Sequence, residues 1–325
     1  MVEPITTKYE AVGFIDSRVG GRKEKQDCAG VRDTELGLLV VVCDGMGGMQ
    51  GGQVASSEAV TSIMQSFSKV DIQSDPSMTL VKSIIDANAN ILAKAAEDPN
   101  LHGMGTTVTA LLITPKSAII AHVGDSRVYQ LRGTHKVFRT FDHSMVFQMV
   151  KKKIITEEQA RLSAQSNVIL RALGVKPEVE VEVHEVPYLK GDRFILCSDG
   201  FWGAMPESDF LQRVTDKTQE IDQVLESTAN EVEKIGKEKG GEYDNLTAAI
   251  VDVKTNSKMK VNMNRCAKII IGVLAILLVV SLVFNGYFVY NNHNIDNGNA
   301  KADSCAVDST KIADRSKNSQ GDAGN

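Results

Sequence analysis

Nothing in this sequence marks out a disulfide framework or a thiolate metal site. Its five cysteines, Cys28, Cys43, Cys197, Cys266 and Cys305, are odd in number and never spaced CxxC. A basic excess is missing as well: 36 Lys and Arg stand against 41 Asp and Glu, a net charge of −5, which argues against a nucleic-acid partner. The start, MVEPITTKYE, lacks the basic residues and apolar run of a secretory signal. No internal repeat is visible. With 42% hydrophobic and 24% charged residues, wholesale disorder is excluded, and 325 residues suffice for one large or two ordinary domains.

Charge and hydropathy divide the chain. Residues 269–290 carry no charge, and at about 1.5 Å per residue they reach roughly 33 Å as a helix, the thickness of a bilayer core. Just before them lie Lys254, Lys258, Lys260, Arg265 and Lys268, with no acid among residues 254–268. That asymmetry predicts a single transmembrane helix with the N-terminal side in the cytoplasm and a short tail outside it. A buried helix of a soluble domain is the weaker alternative, since core helices rarely run so long without a break. The expected organisation is a working domain over 1–254, a basic juxtamembrane linker over 255–268, the span over 269–290, and a polar, disordered tail over 291–325.

Within the first 254 residues, short apolar or alternating runs predict strands at 36–43, 106–114, 117–123, 179–186, 193–197 and 246–253. Helical spacing over 81–95 and 221–235 predicts two amphipathic helices with core-facing stripes. Regular βαβ alternation is absent, so an α+β layered sandwich is favoured over a doubly wound sheet.

The aspartates fall in a pattern. Asp44 follows LLVVVC, Asp125 follows AHVG, Asp199 follows FILCS, and Asp244 comes just before LTAAIV. One Asp-Gly after a strand is ordinary turn chemistry. Four carboxylates at the ends of apolar runs are another matter, because none of them is buried cheaply without a cation. Hard oxygen donors without His or Cys select Mg²⁺ or Mn²⁺ over Zn²⁺. Two such ions, bridged by a shared carboxylate, activate a water for attack on phosphorus, and Arg22 in GGRKEKQD offers the fork that orients a phosphoryl group. His122 and His143 read instead as hydrogen-bonded structural histidines. Lys151, Lys152 and Lys153 read as a solvated helix face, and Cys28, Cys43 and Cys197 as small apolar filler.

Taken together, GGRKEKQD, VVVCDGMGG, GMGTTVTALLI, AHVGDSRVY, DHSMVFQMV, NVILRALG, FILCSDGFW and YDNLTAAIV occur in the order found in metal-dependent serine/threonine protein phosphatases. The chain resembles the PPM or type 2C family, in its bacterial form, over roughly residues 8–254. The resemblance implies a four-layer αββα sandwich of two antiparallel sheets flanked by helices, with two metals, and a third in bacterial members, in a cleft at one edge. It implies that Asp44 bridges the metals, that Gly45 lends its backbone carbonyl, and that Asp199 and Asp244 complete the first site. Asp125 resembles a ligand of the third metal, Asp27 a carboxylate that orients metal-bound water, and Arg22 the phosphate-binding arginine. Residues 141–174 look like the family's flap.

Three positions depart from the family pattern. Met46 stands where many eukaryotic members have His, so no histidine acid is available there. Gln26 replaces a frequent Glu, leaving its amide oxygen or a water toward the second metal, and Lys25 replaces the usual Asn. The expected function is a membrane-anchored phosphatase that hydrolyses phosphoserine and phosphothreonine on proteins through a metal-bridging hydroxide, opposing a membrane Ser/Thr kinase. A catalytically silent scaffold that holds phosphoproteins in the same metal cleft is the alternative, which Met46 and Gln26 favour.

Overall fold

The computed structural model describes residues 2–47 and 50–259, together with Ser281. The span and tail expected over 269–325 therefore lie, Ser281 aside, outside the described residues. Among the described residues no helix is long and apolar enough to cross a membrane.

Strands β1 (Glu3–Ile5), β2 (Ala11–Arg18), β3 (Cys28–Asp33), β4 (Leu38–Cys43) and β5 (Gly45–Met46) precede helices α1 (Gly51–Ser66) and α2 (Pro76–Glu97). Next come β6 (Gly105–Thr106), β7 (Val108–Ile113), β8 (Ala118–Val123), β9 (Arg127–Arg132) and β10 (His135–Arg139), then α3 (Met145–Lys151) and α4 (Glu157–Arg161). The domain closes with β11 (Glu182–Val186), β12 (Asp192–Cys197), α5 (Asp199–Trp202), α6 (Glu207–Val214), α7 (Ile221–Glu238) and β13 (Leu246–Val253). One sheet has the order β1-β2-β13-β12-β9-β10 and the other β11-β8-β7-β4-β3, with β5-β6 a separate two-stranded ribbon. Every pairing in them is antiparallel.

Alternation along the central strands explains the layers. In β4, Leu39, Val41 and Cys43 face a core shared with α1 and α2, while Leu38, Val40 and Val42 face the core between the sheets. In β12, Ile195 and Cys197 turn toward a third core under α5–α7, and Phe194 and Leu196 toward the middle one. A strand covered on both faces must be apolar throughout, which is why LLVVVC shows no polar residue. The expected two-sheet sandwich flanked by helices is thus the observed fold. The strand and helix positions read from the sequence hold to within a few residues.

Topology decides where the site falls. β4 and β8 both run antiparallel to β7, so they end at the same edge of their sheet, and β3 begins there, with Cys28 opposite Cys43. In the other sheet β12 ends where β13 begins, with Cys197 opposite Ala248, and β2 ends there too, with Arg18 opposite Leu246. Asp27, Asp44 and Asp125 are delivered to the first edge, and Arg22, Asp199 and Asp244 to the second.

Candidate active site

The two edges are joined by side chains. Ser198 Oγ donates to Asp27 Oδ2 at 2.8 Å, so a residue at the end of β12 holds the carboxylate at the start of β3. Arg22 forks onto Asp244, Nε to Oδ1 at 3.1 Å and Nη2 to Oδ2 at 2.8 Å. Asn245 is the clasp beneath them: its Oδ1 accepts from the Gln26 amide at 2.5 Å, and its Nδ2 donates to the Val19 and Glu24 carbonyls at 2.7 and 3.0 Å. It fixes the loop that carries Arg22, Gln26 and Asp27 to the residues that lead into β13, Asp244 among them. Gln26 turns its amide into the glycine-rich turn, Nε2 donating to the Gly47 carbonyl at 3.3 Å.

Asp44 is set by its backbone. Its amide donates to Thr107 Oγ1 at 3.0 Å, and its carbonyl accepts from the Thr107 amide and from Thr106 Oγ1, both at 2.8 Å. Gly45 is required by close approach, since a Cβ there would lie 2.0 Å from the Gly52 carbonyl oxygen and 2.6 Å from that of Gln26. Asp125 is buried, and its carbonyl accepts from Trp202 Nε1 at 3.1 Å. That indole is covered by the Arg127 guanidinium, 3.3 Å from the ring centroid, which is itself buried and paired bidentately with Asp142 at 2.8 Å.

The electrostatics of this rim are unfavourable without a cation. Burial pushes Asp27 up to about 7, against hydrogen bonds from Thr247 and Ser198 and with the charges of Asp199 and Asp244 adding to it. Burial first, then Asp27, Asp199, Asp125 and Asp244, raises Asp44 well above the ordinary carboxylate range. Asp125 rises through burial and Asp199, and Asp199 through burial and Asp244. Asp27 Oδ1 and Asp199 Oδ1 are buried and have no hydrogen-bond partner. Unpartnered carboxylate oxygens beside mutually repelling acids suit hard divalent cations, and the donor set contains no nitrogen or sulfur. A cavity of about 270 Å³ opens beside them, lined by Arg22, Asp125, Asp199 and Asp244 from the rim and by Arg161 and Asn167 from the 141–174 segment.

The residues singled out in the sequence therefore meet at one end of the sandwich. Sequence reasoning missed Asn245, Ser198 and Thr107, whose signal was a polar residue at the end of an otherwise apolar strand. It also missed that Arg22 engages Asp244. Among the described residues, the set of metal-type side chains whose donor atoms all lie within 4.8 Å of one another is a different one, His122, His143 and Glu182. The aspartate oxygens are spread more widely than that.

An antiparallel double sheet with an acidic rim and an adjacent arginine defines a class, that of hydrolases acting on phosphate with divalent cations. Residues 17–227 match the family model for protein phosphatase 2C, and the chain belongs to that family. The serine/threonine phosphatase stp of Listeria innocua is 33% identical over 235 residues, covering 71% of this chain and 91% of the relative. Among solved structures, the S. agalactiae serine/threonine phosphatase has 30% identity and a TM-score of 0.63 over 75% of this chain and 100% of that one. The catalytic domain of the phosphatase PstP in complex with 2 manganese ions has 28% identity and a TM-score of 0.61, covering 75% and 98%. These relatives are serine/threonine protein phosphatases, and the chain is an enzyme of that kind.

Proposed function

We propose that this chain removes phosphate from phosphoserine and phosphothreonine of proteins, using a pair of Mn²⁺ or Mg²⁺ ions held at the aspartate rim. The observation that carries this reading is the convergence of Asp44, Asp199 and Asp244 beside the exposed guanidinium of Arg22, with the buried Asp199 Oδ1 and Asp27 Oδ1 left unpartnered. In this reading Asp44, the Gly45 carbonyl, Asp199 and Asp244 would hold the pair of ions, and Asp125 would hold a third. Gln26, whose Nε2 donates to the Gly47 carbonyl, would help hold the second ion through its amide oxygen or a water. When bound, the ions act as Lewis acids on the phosphoryl oxygens and make water nucleophilic at neutral pH.

The protein's own groups do the rest. Arg22 receives the phosphoryl oxygens bidentately, exchanging one anion, the Asp244 carboxylate, for another. Asp27, fixed through Oδ2 by Ser198, keeps Oδ1 free to accept a proton or a water hydrogen at the rim. Mn²⁺-dependent release of phosphate from a phosphothreonine peptide tests the reading. Wild type is expected to turn over and Asp44→Asn to fall by about two to three orders of magnitude or more. Turnover unchanged in Asp44→Asn or in metal-free buffer would overturn it.

We also propose that the uncharged stretch over 269–290 anchors the enzyme in a membrane as a single span, with the phosphatase domain in the cytoplasm and the tail outside it. The length of the run and the basic residues before it support this orientation. Anchoring would confine the enzyme near membrane-bound phosphoproteins, a Ser/Thr kinase foremost. The full-length chain should stay with the membrane through carbonate and high salt, and its release by either would reject the anchor.

A further inference from the structure

Asp125 stands on the short link between β8 and β9, outside either strand, so no sheet ladder decides where its carboxylate points. The direction of a side chain follows from the two rigid peptide planes that flank its Cα. Both planes are pinned from elsewhere in the chain. The carbonyl of the plane before Asp125, that of Gly124, accepts from the His143 amide at 2.9 Å. The carbonyl of the plane after it, Asp125's own, accepts from Trp202 Nε1 at 3.1 Å. Gly124 itself has a φ of 110°, and a Cβ there would lie 2.7 Å from the Thr107 side chain, so the link is closed against any other residue.

Trp202 is the single tryptophan of the chain, and it ends α5, the turn of helix that Asp199 begins. Its ring is buried and held from several directions. The Arg127 guanidinium covers the ring at 3.3 Å from its centroid, and the Phe147 ring stands at 86° to it with centroids 6.4 Å apart. Arg127 is fixed in turn: Nε and Nη2 donate to Asp142 at 2.8 Å, and Nη1 donates to the Tyr129 hydroxyl at 3.0 Å. In register Arg127 lies opposite Cys197, so the β9–β12 pairing that brings Asp125 and Asp199 together also sets the cation over the indole. Apolar side chains would fill the same volume without the cost of desolvating a charge. What they would not do is hold the indole in the one rotation that aims its N–H at a carbonyl.

We infer that Trp202 is a positioning residue for Asp125: its indole N–H fixes the peptide plane that turns this carboxylate toward the rim, and it ties the placement of Asp125 to that of Asp199, three residues earlier in the chain. The inference rests on the proposed metal rim, where Asp125 would hold an ion beyond the pair. Phenylalanine at position 202 would keep an aromatic ring under Arg127 and lose the donor, leaving the Asp125 carbonyl without that partner and its peptide plane free to rotate.

Mn²⁺ titrated into the full-length protein tests this, followed by calorimetry and by tryptophan emission, which Trp202 alone supplies. Asp125→Asn identifies the uptake step that belongs to Asp125, and in wild type that step is expected to change the emission. Trp202→Phe should weaken the same step about tenfold or more and leave the remaining steps as tight as in wild type. A general loosening of the fold would weaken all steps together and lower the melting temperature. Trp202→Phe that binds every ion as wild type does, or that weakens all steps alike, would overturn the inference while leaving the metal rim intact. So would wild-type emission that stays unmoved through the whole titration, a result that needs no variant to fold. Absence of any Mn²⁺ uptake by wild type would reject the rim, and this inference with it.

Discussion

At Arg22 one guanidinium faces two anions in turn. It is held bidentately by Asp244 and is more than half exposed, so its pairing is worth less than a buried one. A phosphoryl group competes for the same fork, and Arg22→Ala should raise KM about tenfold while kcat changes only a few-fold, as steady-state kinetics on a phosphopeptide will record. An equal loss in kcat would instead place Arg22 in the transition state alone. The aspartates were legible because a carboxylate at the end of an apolar strand has no bland explanation once it recurs. Asn245 was not, because its task of clasping the Arg22 loop exists only after β2 and β13 have paired. His122 and His143 were readable as hydrogen-bonded histidines. Their stacking on each other depends on a turn that brings residue 143 back over β8.

Among the elements, β4, β7, β8, β12 and β13 announced themselves because both faces are buried. β3 and β10 did not: CAGVRD is half-buried along its length and HKVFR is largely exposed, so neither shows an apolar run or a clean alternation. α1 escaped for another reason. Its sequence GGQVASSEAVTSIMQS packs glycine, alanine and serine against the sheet, and small polar residues on the buried face blur the stripe that the 3.6-residue period should show. Those small residues let the helix start press against the turn after Asp44. Gly45→Ala therefore forces apart two backbones now in contact, and it should cost about 1–3 kcal/mol of stability and open the rim. Chemical denaturation and Mn²⁺ affinity should both register the change. A variant as stable and as tight as wild type would mean that the turn is slack.

Over the whole molecule the rim makes stability depend on pH. The folded-state values of Asp27, Asp44, Asp125 and Asp199 all lie above those of free carboxylates. Above about pH 4 the folded protein therefore binds more protons than the unfolded chain, and without metal its stability falls as pH rises, the Asp27 share of that fall being complete above its folded value of about 7. Melting curves in chelator should show that decline, and Mn²⁺ should reverse it near neutral pH, because a cation offsets the charge that protons neutralise at low pH. A stability that climbs with pH in chelator would contradict the electrostatics. Everything in the functional reading turns on the sheet topology delivering those acids to one place for a pair of ions. Anomalous diffraction from crystals grown with Mn²⁺ is the most direct measurement: two peaks flanking Asp44, bounded by Asp199 and Asp244, are predicted, and peaks only elsewhere, or none, would contradict the account.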